Sequence, residues 1–252
     1  MIGLIAVEVE KVRTTRFWIG LLLGGVGLVT LGVVATLAIA GSPEGLEAGI
    51  DPVETLEDVR EFIETGSIVG VFALVLGATT MTTEHRHRTL SGTFLATPTR
   101  IPVVVAKVIG AGLAGFVFGV IGGLIPLVAV AITFAVKADA VPIGWSVVVA
   151  MAAVGAGSAF SAAMGAAAGA ALRSQLIAIL GVLGWALVVE SVVGAIFPVA
   201  VKWLPFTGLT AALTQTGTVE LFSPLVSGLL MALYLAVTLA VGLAVTTTRD
   251  VD

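Results

Sequence analysis

Cysteine is absent from this chain of 252 residues, and charge is scarce, with 11% of positions Asp, Glu, Lys or Arg. The first absence excludes a disulfide framework, thiolate metal sites and a cysteine nucleophile. The second excludes an ordinary soluble domain, which carries roughly a quarter charged residues and needs them for its water-facing skin. Signature motifs of common enzymes are missing as well. A nucleotide phosphate loop needs lysine directly after glycine, whereas Lys11, Lys107, Lys137 and Lys202 follow Glu10, Ala106, Val136 and Val201. No serine has glycine two residues away on both sides, and no H-E-x-x-H stretch occurs. A net charge of −4 offers no basic footprint for nucleic acid.

What fills the chain is apolar: 58% hydrophobic residues and a mean hydropathy of +1.15. This is the composition of an integral membrane protein. A helix crossing a bilayer core needs about 20 mainly apolar residues. Six runs meet that requirement, from Phe17 to Ala40, Ser67 to Thr83, Val108 to Val136, Ile143 to Leu172, Leu176 to Pro198, and Pro224 to Thr246. The first follows Lys11, Arg13 and Arg16 and ends in Ala38-Ile39-Ala40, which resembles a signal peptide. Its apolar stretch exceeds the roughly 7 to 15 residues of a signal core, so it reads as a retained helix. The expected fold is all-α: one transmembrane unit over residues 1–252 with six spans.

Six spans put both termini on one side, and the positive-inside rule selects which. With the termini in the cytoplasm, Lys11, Arg13, Arg16, Arg86, Arg88, Arg100, Lys107, Arg173 and Arg249 lie inside and Arg60, Lys137 and Lys202 outside, nine against three. A multi-pass protein of the plasma (inner) membrane with both termini cytoplasmic is the expectation.

The segments between the spans have characters of their own. Ile2, Ile5, Val9 and Val12 recur at helical spacing, which predicts an amphipathic helix over 1–16 on the cytoplasmic membrane face; the alternative is an extension of the first span. Residues 41–65 hold eight acidic residues against Arg60 alone. Asp51, Pro52 and Glu54 read there as a helix start, with Val53, Leu56, Val59 and Ile63 on one side. This acidic rim either attracts cations or is a solvated face. Residues 84–107 form the longest cytoplasmic loop, where a helix from Glu84 would stop near Thr97 ahead of Pro98. The segment from Pro198 to Ser223 is too apolar to float in water and too broken by glycine and proline to span; it predicts a re-entrant or interfacial hairpin.

Few residues within these elements carry chemistry. Gly115, Gly119 and Gly123 sit four apart, as do Gly165 and Gly169, and such faces let helices approach closely. His85 and His87 are two apart, so on a helix they diverge, and no metal site is expected. Glu190 is the acidic residue deep in the fifth span. It either lines a translocation path or is a structural group that snorkels outward or pairs with Lys202.

The loop between the second and third spans reads Glu84-His85-Arg86-His87-Arg88-Thr89-Leu90, then Leu95, Pro98, Arg100 and Lys107. It resembles the permease subunits of the type-2 ABC exporter family, in which a glutamate, a glycine-threonine-leucine step, a proline, a basic residue and a lysine occupy this loop. Arg88 stands here where the family has glycine. The likeness extends over the six-helix layout, the N-terminal interfacial helix and the broken outer segment. It implies a coupling helix docking on a separate ATPase subunit through Glu84, Arg86, Arg88, Thr89, Leu90, Pro98 and Arg100, with Lys107 as a membrane-edge anchor. It also implies two ATPase copies carrying ATP and Mg, no cofactor on this chain, a second permease as homo- or heterodimer partner, and contact with membrane lipid. The activity expected is export of a hydrophobic or amphiphilic molecule such as a drug, antibiotic or lipid. Two alternatives stay open: a non-transporting partner or regulator of an ABC ATPase, and a proton-coupled carrier using Glu190.

Overall fold

The computed structural model describes residues 1–47, 50–86, 100–137, 144–172, 174–215 and 220–248. The described residues are helical with no strand. Six helices among them are long and apolar enough to cross a membrane, which makes this a multi-pass membrane protein.

Helix α1 (Ile2–Thr14) precedes α2 (Phe17–Ile39). Thr15 between them takes an extended conformation, so α1 is a separate helix and not an extension of the first span. The short α3 (Pro43–Glu47) and α4 (Leu56–Glu64) follow. A 3-10 turn, Thr65–Ile68, leads from α4 into α5 (Val69–Arg86). Next come α6 (Arg100–Lys137) and α7 (Trp145–Leu172). The fifth span is built from α8 (Gln175–Leu183), a π-helical turn Gly184–Val189, and α9 (Glu190–Ile196). A 3-10 helix, Pro198–Trp203, and α10 (Gly208–Thr214) make the broken segment before α11 (Pro224–Thr248).

Helix α7 is the axis. Of its most hydropathic stretch 61% is buried, against 11% for α11 and 17% for α2, so α5, α6 and α7 form the centre and the others pack around them. The sequence of α7 explains this: its buried face is mostly Ala, Gly and Ser over several turns, from Ala150 through Ser158 and Ala162 to Ala170, with Val154 and Phe160 among them. In an apolar solvent there is no hydrophobic drive between helices, and close backbone approach gains dispersion contacts in its place. A Cβ on Gly77 of α5 would collide with the Ala162 carbonyl oxygen, and one on Gly165 with that of Leu74. These two positions require glycine.

Three boundaries differ from the sequence reading. Helix α4 starts a turn later than Asp51. Its cap is Thr55, whose hydroxyl accepts from Asp58 N (3.2 Å) while Asp58 Oδ2 accepts from Thr55 N (2.7 Å) and Glu54 N (2.9 Å). That reciprocal capping box satisfies more backbone donors than a single Asp51 cap. Its buried face is Val59, Phe62 and Ile63, with Leu56 exposed. Helix α5 runs on through Glu84 to Arg86, and α6 begins at Arg100 with Pro102 in its first turn, where the missing N–H costs nothing. The connection between them is therefore shorter than residues 84–107.

Candidate functional site

Helix α1 packs against the start of α6. The residue it buries is not one of its aliphatic residues but Glu8, 7% exposed, while Ile2 and Val7 face outward. The Glu8 carboxylate accepts from Lys107 Nζ at 2.6 Å and from Lys11 Nζ at 2.8 Å. Lys107 is 2% exposed; it points into the protein and ties α6 to α1. A Cβ on Gly110, one turn along α6, would lie 3.2 Å from Glu8 Cβ, so the small residue admits the crossing. Trp18 Nε1 donates to the Arg13 carbonyl at 3.2 Å and fixes the turn from α1 into α2.

Each partner leaves a trace in the sequence, although their pairing does not. Glu8 shares a helical stripe with Ile5 and Val12, and a carboxylate in an apolar stripe needs a buried cation. Lys107, in the run Val103-Val104-Val105-Ala106-Lys107-Val108, shares with Lys202 a setting of apolar neighbours on both sides over several residues.

A second polar centre surrounds Glu190, 1% exposed. Its Oε1 accepts from Trp185 Nε1 (3.1 Å) and Phe206 N (3.1 Å), and its Oε2 from Phe206 N (3.1 Å), Thr207 N (2.8 Å) and Thr207 Oγ1 (2.9 Å). The carboxylate thus caps the start of α10, standing in for the side-chain cap that Thr207 does not supply. The π-helical turn positions Trp185 to reach it. Glu190 neither snorkels nor pairs with Lys202, whose Nζ lies 5.3 Å over the Phe222 ring. The broken segment is fastened at its other edge too. Gln215, at a positive φ of 57°, donates from Nε2 to the carbonyls of Ala212 and Phe222. Tyr234 Oη donates to the Trp203 carbonyl, and Arg60 of α4 donates to the Thr214 carbonyl.

The glycine series divides between two seams. Gly115 and Gly119 of α6 lie against Ser158 and Val154 of α7, and Gly165 and Gly169 of α7 against Leu74 and Ala78 of α5; Gly123 faces the flexible side chain of Met151. Of the docking residues, Glu84 and Arg86 fall in the last turn of α5 and Arg100 opens α6. Arg88, Thr89, Leu90 and Pro98 lie outside the described residues, as does His87. No protein-family model and no curated protein matches this chain.

Proposed function

We propose that this chain is the permease subunit of an ATP-driven exporter, moving a hydrophobic or amphiphilic molecule with energy supplied by separate ATPase subunits. Both termini face the cytoplasm, and α1 lies on that face of the membrane. The observation that carries the reading is mechanical. The connection between α5 and α6 carries the Glu84-to-Arg100 docking pattern, and both helices run unbroken from it through the protein. Helix α6, with 38 residues, is roughly 57 Å long at 1.5 Å per residue. A push on the connection is thereby delivered to the glycine seams against α7. The Glu8–Lys107 pair makes α1 travel with α6, because separating the two charges exposes each to an apolar surround.

The carrier alternative needs Glu190 to release and take up protons in turn. A carboxylate held by four donor groups is a poor shuttle, since protonation sacrifices several charge-assisted bonds at once. Its geometry favours a structural cap.

The test is purification of the full chain from its native cell in mild detergent, with identification of co-purifying proteins and an ATP hydrolysis assay. An ATPase should co-purify and be lost on Glu84→Ala combined with Arg100→Glu. Retention of the ATPase by that variant, or no ATPase in any mild detergent, overturns the reading.

A further inference from the structure

Glu190 is a buried carboxylate whose charge is not balanced within the chain. It is 1% exposed, and no Lys, Arg or His among the described residues forms an ion pair with it. Its donors, Trp185 Nε1, Phe206 N, Thr207 N and Thr207 Oγ1, occupy its lone pairs and leave its net charge in place. A carboxylate taken out of water in this way still attracts a cation. Glu8, likewise buried, has its cations in Lys107 and Lys11.

Beside Glu190 a cavity of about 180 Å³ lies between the start of α5, the middle of α7, the π-helical turn and α10. Both segments that hold the carboxylate line it: Ala186 and Leu187, next to Trp185, and Phe206 and Thr207. Ser67, Leu187 and Thr207 are exposed, whereas Leu74 and Gly157 are buried, so the cavity opens at the Thr207 end and closes between α5 and α7.

Thr207 links the opening to the charge. Its hydroxyl hydrogen is committed to Glu190 Oε2 at 2.9 Å, so the oxygen can only accept from a further partner. Thr210 is in the same condition, its hydrogen going to the Phe206 carbonyl at 2.6 Å. These hydroxyls select a donor, and the carboxylate behind Thr207 selects a positive one. A group donating to Thr207 Oγ1 lies within about 6 Å of Glu190 Oε2, two hydrogen-bond lengths end to end, and opposite charges at that range favour each other strongly. No Lys, Arg or His lines the cavity to repel it, and Val71, Leu74 and Leu187 supply apolar wall. At about 30 Å³ per water-sized group the volume takes on the order of six such groups, enough for an ammonium and a short alkyl chain.

The geometry points to a binding site for a protonated amine with an apolar chain, held by Thr207 with Glu190 as its counter-charge. The inference stands apart from the exporter reading: the cavity lies within one chain and binding needs no ATPase, so its failure would leave that reading untouched.

The test uses the full chain in phosphatidylcholine nanodiscs, which carry no net lipid charge, with a hexylammonium probe bearing a photoreactive diazirine in its chain. Labelled sites are read by mass spectrometry and are expected in the peptides holding Val71 to Leu74 and Ala186 to Leu187. Unlabelled hexylammonium should displace the probe at concentrations about tenfold below those of hexanol, which has the same chain and no charge, and hexanoate should not compete. Thr207→Val, which keeps the side chain's shape and removes its oxygen, should shrink that preference about threefold or more. Glu190→Gln should abolish it. The preference is a ratio within one variant, so a loosened α10 weakens both competitors together and does not imitate the effect. Label absent from these peptides, equal competition by hexanol in the unaltered chain, or a preference unchanged in both variants overturns the inference.

Discussion

Two carboxylates in apolar surroundings, Glu8 and Glu190, have opposite solutions to the same problem. Glu8 is neutralised by ammonium groups at 2.6 and 2.8 Å. Glu190 is held by N–H and O–H dipoles, two of them from the backbone at the start of α10. Their substitutions should therefore behave differently. Glu8→Ala removes the carboxylate 2.6 Å from the buried Lys107 ammonium, and breaking such a pair costs about 3–5 kcal/mol; partial exposure of Lys11 places the expected loss near the low end. The double variant Glu8→Met with Lys107→Met should recover most of that loss, because the apolar pair needs no desolvation. Thermal unfolding in detergent of the two single variants and the double checks this, and equal loss in singles and double would refute a buried pair. Glu190→Gln presents an amide to donors that expect an acceptor. It should loosen α10 at about 1–3 kcal/mol, read as faster hydrogen exchange over Phe206 to Thr214 with the rest of the chain unchanged.

At the level of elements, the seams of α7 decide stability. Gly77→Ala and Gly165→Ala each push a methyl into a carbonyl of the facing helix. Overpacking of this kind costs about 1–3 kcal/mol, since two whole helices must separate to relieve it. Gly27→Ala and Gly32→Ala on α2 meet nothing within 4 Å and should leave the melting temperature within a degree or two. The contrast tests the architecture with one chemical change. It also shows what periodicity reveals. The six spans were legible because hydropathy over twenty residues is a property of a segment, and the Gly115, Gly119, Gly165 and Gly169 spacing marked close-packing faces. The start of α4 was misread because Asp51-Pro52 is a good local signal that the reciprocal Thr55–Asp58 box outcompetes. Glu8 with Lys107 was missed because the partners are 99 positions apart, and Glu190 with Thr207 because the acceptor's use depends on where a broken segment folds back. Pairings of that kind are set by tertiary packing, which a local pattern does not encode.

For the whole molecule, the decisive physical question is orientation, because the exporter reading requires the α5–α6 connection to face the nucleotide-bearing side. The charge bias, nine basic residues against three, is the driving asymmetry: moving lysine and arginine to the outer face works against insertion. The absence of cysteine makes this unusually direct to measure, since any introduced thiol is the sole reactive one. In the proposed topology, single cysteines replacing Glu54, just before α4, and Leu225, at the start of α11, would be reached from outside the cell, and those replacing Met1 and Asp252 from the cytoplasm. In intact cells a membrane-impermeant maleimide should label the first pair, and label the second only after permeabilisation. Labelling of Met1→Cys, with an added initiator methionine, in intact cells would invert the protein. The α5–α6 connection would then face outward, where no ATPase could reach it.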